Sequence, residues 1–255
     1  MDAKMSDFDV DERAGALWLT LRRPPLNVLD IATLRELRRA VKDLPTRRDV
    51  KVVVLRSALP GTFSAGTDVG DHRRERIRQM LTAFHRLVLF LDQIPQTTLA
   101  AVDGRCLGGG CELALTCDIV LATPRSSFAL PEIDLGCFPP VGAVALPRLA
   151  GRIAHEMVLL GEPISAEQAL QRGLVNRIVD DLEVATADWV ARLAAKSGSV
   201  LAVARRAVRQ GGRGTFAKAL ARAETLYLED LTRTRDSDEG VRAFIEKRRP
   251  RWTDR

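Results

Sequence analysis

The chain has no long hydrophobic run. None of its apolar stretches approaches the roughly 20 residues that a helix needs to cross a bilayer, although 46% of its 255 residues are hydrophobic. Residues 1–10 are too acidic and too polar for a secretory signal, which combines positive charge with an apolar segment. We therefore expect a cytoplasmic protein with no membrane partner, built as one large domain or as a domain with an appendage.

Residues that bind metals are scarce. The chain has three histidines and four cysteines, namely Cys106, Cys111, Cys117 and Cys137. The cysteine spacings match no zinc pattern, and no histidine is positioned in the sequence to complete one. We expect buried, reduced thiols and no metal site.

Aromatic residues make up only 5% of the chain, and Tyr227 is its only tyrosine. The formal net charge is +6, but the arginines are spread along predicted helices apart from short clusters such as residues 73–78. Surfaces that bind nucleic acids combine a basic stripe with aromatic side chains that stack on bases. The composition therefore argues against a nucleic-acid partner.

Short apolar runs alternate with amphipathic segments. Residues 18–21 form a predicted strand, and residues 50–55, 98–102 and 119–122 are typical of strands buried on both faces of a sheet. Asp30 is a candidate N-cap for a helix that Pro45 would end. The last third is mainly helical, with predicted helices at residues 165–171, 182–196, 200–210, 215–232 and 237–248. This pattern predicts an α/β fold, largely parallel, with active-site loops at strand ends.

Three consecutive glycines, Gly108, Gly109 and Gly110, lead into a predicted helix at residues 111–117. Amides in the first turn of a helix have no intrahelical acceptors, and the helix dipole favours negative charge there. A phosphate loop would end in Gly-Lys-Ser/Thr, and Glu112 would repel a phosphate. An oxyanion beside a carboxylate base fits the stretch better, and an ordinary close-packed glycine turn is the alternative.

Five segments along the chain resemble the enoyl-CoA hydratase/isomerase (crotonase) superfamily, in the order of that family. They are FSAGTD (residues 63–68), LGGGCELALTCD (107–118), LPEIDLG (130–136), GEPISAEQALQRGLVNRIV (161–179) and AFIEKRRP (243–250). The resemblance implies a spiral of repeated ββα units, followed by a C-terminal helical region that mediates trimers, often paired into hexamers. We place the spiral core at residues 1–195 and the oligomerisation region at residues 196–255.

The resemblance also implies the chemistry. Backbone N–H groups of Thr67 and Gly109 are expected to form an oxyanion hole for a thioester carbonyl, and Glu112 and Glu132 match two catalytic glutamates of enoyl-CoA hydratases. Addition of water to a polarised double bond needs a base for the water and an acid for the α-carbon. Two buried carboxyls can share that work if their pKa values differ. We assign Glu112 to the water and Glu132 to the α-carbon.

Coenzyme A is expected as part of the acyl-CoA substrate and not as a separate cofactor, and the positive net charge is compatible with this anionic group. Most of its predicted contacts are backbone or packing contacts. The residues that the resemblance implies are Arg23, Leu26, Val28, Ala65, Asp68, Val69, Phe244 and Lys247. Phe244 and Lys247 are expected to reach the coenzyme A of a neighbouring subunit, where the charge of Lys247 suits a phosphate.

Two departures from the common family pattern bear on the substrate. Thr67 replaces the usual alanine, which would narrow or polarise the pocket wall. Residues 136–143, GCFPPVGA, replace a glycine-rich segment, and their two prolines are expected to stiffen the wall. Phe138-Pro139-Pro140, together with RPPLNVLD (residues 23–30) and DVGDH (68–72), is similar to the cyclohexa-1,5-diene-1-carbonyl-CoA hydratase branch. The stiffer wall and Thr67 favour a compact ring over a long flexible chain.

Three functions remain open at this stage. The two glutamates favour a hydratase, whereas an isomerase of the same fold typically uses one acidic residue near Glu132. A non-catalytic or RNA-binding protein on this scaffold is the third possibility. We interpret Asp118 as structural and His85 as a helix-face residue, and we consider His72 a possible contributor to the pocket.

Overall fold

The computed structural model of the chain describes residues 7–210, 215–229, 231–233 and 235–251. These contain ten β-strands, in chain order β1 Phe8–Arg13, β2 Ala16–Leu21, β3 Val52–Ser57, β4 Thr62–Ser64, β5 Thr97–Val102, β6 Arg105–Leu107, β7 Ile119–Ala122, β8 Ser127–Ala129, β9 Ile164–Ser165 and β10 Arg177–Ile178.

Ten α-helices lie in the same described segments. They are α1 Ile31–Ala40, α2 Ile77–Gln93, α3 Gly108–Leu115, α4 Pro140–Ala150, α5 Ile153–Leu160, α6 Ala166–Gln171, α7 Leu182–Ala194, α8 Gly198–Gln210, α9 Phe216–Glu229 and α10 Arg235–Ile245. Short 3₁₀ helices occur at Leu44–Thr46, Val69–His72, Pro131–Leu135 and Leu231–Arg233.

The strands form two sheets. One has six strands in the order β1-β2-β3-β5-β7-β10, all parallel except the β1–β2 pair. The other has the order β4-β6-β8-β9, with β9 antiparallel. Three successive strand pairs, β3–β4, β5–β6 and β7–β8, each contribute one strand to each sheet and are each followed by a helix. This is the predicted spiral of ββα units, and the predicted fold class is confirmed.

The central strands of the larger sheet are apolar on both faces because both faces are covered. On one face, Leu19 and Val53 belong to the main core, which includes the apolar side of α2. On the other, Trp18 and Val54 pack in a second cluster with residues of α7. Successive side chains of a strand point to opposite faces, which explains why these runs show no polar alternation.

Two predicted helices have different limits in the structure. Asp30 caps α1 as expected, accepting a 2.8 Å hydrogen bond from the Thr33 N–H, but the helix ends at Ala40 and Leu44 begins a separate 3₁₀ turn. Helix α3 begins at Gly108 and not at residue 111. The glycines therefore form the first turn themselves, and Glu112 lies one turn further into the helix than the sequence indicated.

The C-terminal helices are attached to the core by ion pairs and by close backbone contact. Arg205 and Arg209 on α8 both pair with Asp118, which also accepts a hydrogen bond from the Thr98 N–H. These contacts agree with the structural role predicted for Asp118. A Cβ on Gly240 of α10 would overlap the Leu135 carbonyl. The division near residue 196 and the role of this region in assembly stay predictions.

All four cysteines are free, as expected. Cys106, Cys111 and Cys137 are buried, but the expected burial is wrong for Cys117, which is only half-buried. Among the described residues, none of the helices combines the length and the hydrophobicity needed to cross a membrane.

Candidate active site

The loop after β4 and the first turn of α3 approach each other backbone to backbone. A Cβ on Gly66 would lie 3.0 Å from the Gly109 nitrogen, and a Cβ on Gly109 would lie 3.3 Å from the Thr67 nitrogen. Gly66 also has φ +96°, which L side chains rarely adopt. Only glycines allow the two segments to come this close, and the contact places the amides of Thr67 and Gly109 side by side.

Both of these amides are available to a ligand. Leu29 forms a parallel bridge with Thr67. Its two hydrogen bonds involve the residues on either side of Thr67, from Leu29 N–H to Gly66 O at 2.8 Å and from Asp68 N–H to Leu29 O at 3.2 Å. None of the described residues accepts a hydrogen bond from the Thr67 N–H. Gly109 lies in the first turn of α3, where N–H groups have no intrahelical acceptor. The two donors therefore form a pair of the kind that binds an oxyanion.

Glu112 lies one turn beyond the glycines and is buried. Its Oε1 accepts a 2.7 Å hydrogen bond from the Gly142 N–H in the first turn of α4. Burial raises the pKa of Glu112 to about 7, against the smaller opposing effect of hydrogen bonds from the backbone at Gly142 and Val141. The carboxyl thus changes its charge near neutral pH, as a general base requires.

Glu132 lies in the 3₁₀ helix that follows β8 and is also buried. Its Oε2 has no hydrogen-bond partner among the described residues. Its Oε1 is close to the glycine turn, 2.9 Å from where a Cβ on Gly108 would lie. Burial, followed by the negative charge of Glu112, raises the pKa of Glu132 well above its ordinary value. Its protonated form is therefore favoured, and in that form Glu132 can donate a proton.

Both glutamates line one small cavity. Its volume is only about 10 Å³, room for about one water. Its lining residues are Thr67, His72, Met80, Leu81, Phe84, Glu112, Glu132, Phe138, Pro139, Pro140 and Tyr227. The Phe138 and Tyr227 rings pack together, with centroids 5.2 Å apart. The volume is too small for an acyl group, so the cavity must widen when substrate binds.

His72 lines this cavity and also a separate surface cleft of about 450 Å³ beside α10. Its Nδ1 lies 3.0 Å from the Asp68 carbonyl oxygen, and burial lowers its pKa. His72 therefore lies at the pocket, one of the positions that the sequence analysis considered for it. His85 is buried on α2, where Nδ1 lies 3.2 Å from a Glu224 carboxylate oxygen, and it does not line the cavity.

Six of the predicted coenzyme A contacts belong to two adjoining loops. The loop of Arg23, Leu26 and Val28 is joined to the loop of Ala65, Asp68 and Val69 by a 2.9 Å hydrogen bond from Ala65 N–H to Leu26 O. The Arg23 guanidinium is engaged within its own loop, because it pairs with Asp30 at 2.6 Å and donates to Val28 O at 2.7 Å.

Phe244 and Lys247 lie apart from those loops. Phe244 is exposed on α10 and Lys247 is exposed just after it. Neither residue lines the reaction cavity, so their predicted contact with a neighbouring subunit stays a prediction.

Sequence analysis missed three contributors to the site. Asn27, with φ +50°, is buried, and its Nδ2 donates to Ser57 Oγ at 2.7 Å and to Phe63 O at 2.9 Å, which ties its loop to strands β3 and β4. Tyr227 reaches the cavity from α9. Gly142 supplies the N–H that holds Glu112. Gly142 acts through its backbone and Tyr227 is distant in the sequence, so neither leaves a signal in a local motif. Asn27 did leave a signal, because it is a polar residue between Leu26 and Val28.

Comparisons with known proteins agree on one family. A family model described as enoyl-CoA hydratase/isomerase matches residues 11–255. Cyclohexa-1,5-dienecarbonyl-CoA hydratase of Thauera aromatica is 35% identical over 250 residues, covering 96% of this chain and 95% of that protein. 2,3-Dehydroadipyl-CoA hydratase of Escherichia coli strain K12 is 36% identical over 255 residues, covering 96% and 98%.

Solved structures give the same result. The crystal structure of an enoyl-CoA hydratase from Mycobacterium avium subsp. paratuberculosis K-10 superposes with a TM-score of 0.86 at 30% identity, over 97% of this chain and 99% of that one.

Proposed function

Since the chain belongs to the enoyl-CoA hydratase/isomerase family, whose members act on acyl-CoA thioesters, we propose that it adds water reversibly across the α,β double bond of an enoyl-CoA. The observation that carries this proposal is the placement of two buried carboxyls, Glu112 and Glu132, in one cavity with the amides of Thr67 and Gly109 beside them.

The thioester oxygen binds at the paired amides of Thr67 and Gly109. As water adds to the β-carbon, electrons move through the double bond towards this oxygen, which gains negative charge. Two fixed N–H donors beside buried carboxyls stabilise that charge, and removing one such donor typically costs several kcal/mol of transition-state stabilisation. The same polarisation makes the β-carbon electrophilic before water attacks.

The two glutamates divide the proton transfers. Ionised Glu112 takes a proton from the attacking water, and protonated Glu132 delivers one to the α-carbon, so that one water is added in total. This division needs a lower pKa at Glu112 than at Glu132. The negative charge of Glu112 raises the pKa of Glu132 and so helps to keep Glu132 protonated. A proton passing from Glu112 to Glu132, directly or through water, restores the starting state, and dehydration is the reverse sequence.

A delta-isomerase of the same fold is the alternative, since moving a double bond needs one acid–base group to shift a single proton. Both Glu112 and Glu132 line the cavity, whereas an isomerase would need only one of these carboxyls. The Gly142 hydrogen bond that keeps Glu112 partly ionised also favours a role in activating water.

The test compares the purified parent chain with Glu112→Gln and Glu132→Gln, using crotonyl-CoA hydration as the readout. Each variant should hydrate at least about 10²-fold more slowly, with little change in acyl-CoA affinity. Glu36→Gln, which changes an exposed glutamate of α1, is the control and should match the parent. Hydration at the parental rate by either site variant would remove that residue from the mechanism, and isomerisation of a 3-enoyl-CoA without hydration would establish the alternative.

We further propose a compact, cyclic conjugated acyl group as the preferred substrate. Phe138, Pro139 and Pro140 form a stiff wall of the cavity, and a ring loses little conformational entropy on binding. The Thauera aromatica relative named for a cyclic dienoyl-CoA supports this proposal. The Escherichia coli relative is named for a linear substrate, so the two substrate classes need a direct comparison.

A further inference from the structure

A groove between α1 and α2 concentrates positive charge outside the reaction cavity. Its volume is about 350 Å³, within the range of small-molecule sites. Its lining residues are Arg35, Arg38, Arg78, Gln79, Thr82, Ala83 and Arg86. The four arginines come from both helices, so the groove exists only because the helices pack side by side.

These arginines form no salt bridge with any carboxylate of the described residues. Across the described part of the chain, none of the four guanidinium groups forms an ion pair, whereas Arg23, Arg205 and Arg209 all do. Glu224 is close enough to interact with two of them electrostatically, but its hydrogen bond is to His85. Four like charges around one groove repel each other, and a bound anion would relieve that repulsion.

One of the arginines is held in position. The Arg38 guanidinium stacks over the Phe90 ring, 3.5 Å from its centroid, and burial lowers its pKa. Stacking fixes the plane of the guanidinium and leaves its N–H edge for a ligand. Arginine N–H groups match pairs of phosphate oxygens, so the geometry favours phosphate groups over a single compact anion.

From these observations we propose that the α1–α2 groove binds a small polyphosphate anion. Several phosphates in a row carry more negative charge than one, enough to interact with all four arginines. The ligand is separate from coenzyme A, because none of the residues predicted to contact coenzyme A lines the groove. The inference does not depend on the proposed hydration chemistry.

Occupation of the groove bears on the reaction cavity because the two share α2. Met80, Leu81 and Phe84 line the cavity, whereas Gln79, Thr82 and Ala83, on the same turns of α2, line the groove. A ligand on one side of the helix therefore acts on the wall of the other site. Any such coupling must be reciprocal, so acyl-CoA affinity would change with occupation of the groove.

The test is isothermal titration of the full-length protein with inorganic triphosphate at about 0.15 M ionic strength. Arg35→Gln/Arg86→Gln removes two exposed groove arginines and should raise the Kd at least about tenfold, as expected for the loss of charge-assisted hydrogen bonds. Arg39→Gln/Lys42→Gln removes the same number of charges from exposed positions of the same segment outside the groove and should leave the Kd within about twofold of the parent.

A third titration, with coenzyme A already saturating, distinguishes the two sources of phosphate. Triphosphate should still bind, and raising coenzyme A further above saturation should not raise the triphosphate Kd in proportion, because coupling between two sites gives a limited shift whereas direct competition does not. Displacement by coenzyme A would assign the groove to the phosphates of the substrate and overturn the proposal. Absence of binding to the parent, or equal weakening by both double variants, would also overturn it, the latter because it would show that net charge alone attracts the anion.

Discussion

Gly142 donates its backbone N–H to the Oε1 of Glu112 across 2.7 Å, so the start of α4 holds the carboxyl that α3 presents. Two effects on this carboxyl oppose each other. Burial disfavours its charged form, whereas the hydrogen bond favours it, and the larger effect of burial raises the pKa to about 7. Glu112 can therefore exist in both protonation states at neutral pH, which a group that must alternately accept and release a proton requires.

The first prediction concerns the pH dependence of the rate. Water activation needs ionised Glu112, so kcat/KM for hydration should rise with pH and level off above about 7. It should fall again at higher pH, where Glu132 loses its proton. Initial rates measured across this range in buffers of constant ionic strength would check it. An acidic limb centred near 4.5, the pKa of an exposed glutamate, would show that the raised pKa of Glu112 does not control the rate.

The second prediction is that ionisation of buried Glu112 lowers the stability of the folded chain. The pKa of Glu112 is 4.5 when exposed and about 7 in the folded chain, so the folded state holds a proton that the unfolded state has released. Stability therefore falls as pH rises from 4.5 to about 7. Glu112→Gln keeps an acceptor for the Gly142 N–H without titrating, and its advantage over the parent should grow by about 2 kcal/mol between about pH 5.5 and pH 8.5.

Chemical denaturation at the two pH values measures this difference. Glu36→Gln, at an exposed position on α1, provides the control and should follow the parent at both. If the Glu112→Gln variant also followed the parent, the carboxyl would not be buried as the structure places it.

The elements that could be predicted from the sequence are those that have the same environment, apolar protein, on both faces. Strands β3, β5 and β7 are apolar runs because both faces are buried, and this leaves a clear local signal. By contrast, β1 is mostly exposed and alternates charged residues, so its sequence resembles a loop. Helix α4 contains Pro147 and begins with Pro140, which removes the usual helix signal, although its position against the core makes it stable.

The site divides in the same way. The glycine turn with Glu112, and the segment containing Glu132, are contiguous motifs whose chemistry is visible in the sequence. The contacts that tune them come from elsewhere, since Gly142 acts through its backbone, Tyr227 belongs to α9, and Gly240 matters only because it has no side chain. A sequence pattern does not specify which distant backbone N–H will donate a hydrogen bond to a buried carboxyl. That partner is determined by how the helices pack in the folded chain.

The third prediction uses two glycines with similar backbone geometry. Gly108 and Gly173 have φ +51° and φ +76°, so alanine at either position should cost about 1 kcal/mol. Only at Gly108 would the new Cβ meet the site, 2.9 Å from Oε1 of Glu132, whereas nothing lies within 4 Å at Gly173. Gly108→Ala should therefore lower kcat by at least about tenfold, because small displacements of reacting groups are costly, while Gly173→Ala keeps the parental rate.

Thermal unfolding and hydration rates of both variants are the measurements. Equal losses of rate in the two variants would show that backbone strain, and not displacement of Glu132, reduces activity.

The fourth prediction is that the region from residue 196 assembles the protein. Valines 200, 203 and 208 of α8 are more than half exposed, an arrangement that contact with another subunit would stabilise. Light scattering should give the mass of three 28.1 kDa chains or a multiple of it, and Val203→Glu combined with Val208→Glu should dissociate it. Val184→Glu, at a similarly exposed position of α7, should not. A stable and fully active monomeric parent would exclude assembly through α8 and the role of Lys247 across an interface.

The last prediction concerns the acyl group, and Thr67 provides the means to test it. The Thr67 methyl Cγ2 lies 2.9 Å from where a Cβ on Gly109 would be, so it occupies space beside the proposed oxyanion site, while its backbone N–H is independent of the side chain. The parent should show its highest kcat/KM on cyclohexa-1,5-dienecarbonyl-CoA or cyclohex-1-enecarbonyl-CoA. Crotonyl-CoA, 2,3-dehydroadipyl-CoA and a long-chain enoyl-CoA should be poorer, by about 10-fold to 200-fold, since pocket shape discriminates modestly.

Thr67→Ala keeps the N–H but removes both the methyl and the hydroxyl, so it should retain hydration and reduce this preference for rings. Thr67→Ser restores the hydroxyl alone, and a Ser variant that behaves like the Ala variant would assign the effect to the methyl. The highest kcat/KM of the parent on a linear chain would refute the cyclic substrate and leave the hydratase proposal intact. Loss of all hydration in Thr67→Ala, with the fold preserved, would contradict the backbone role of this residue, because the amide donor is unchanged by the substitution.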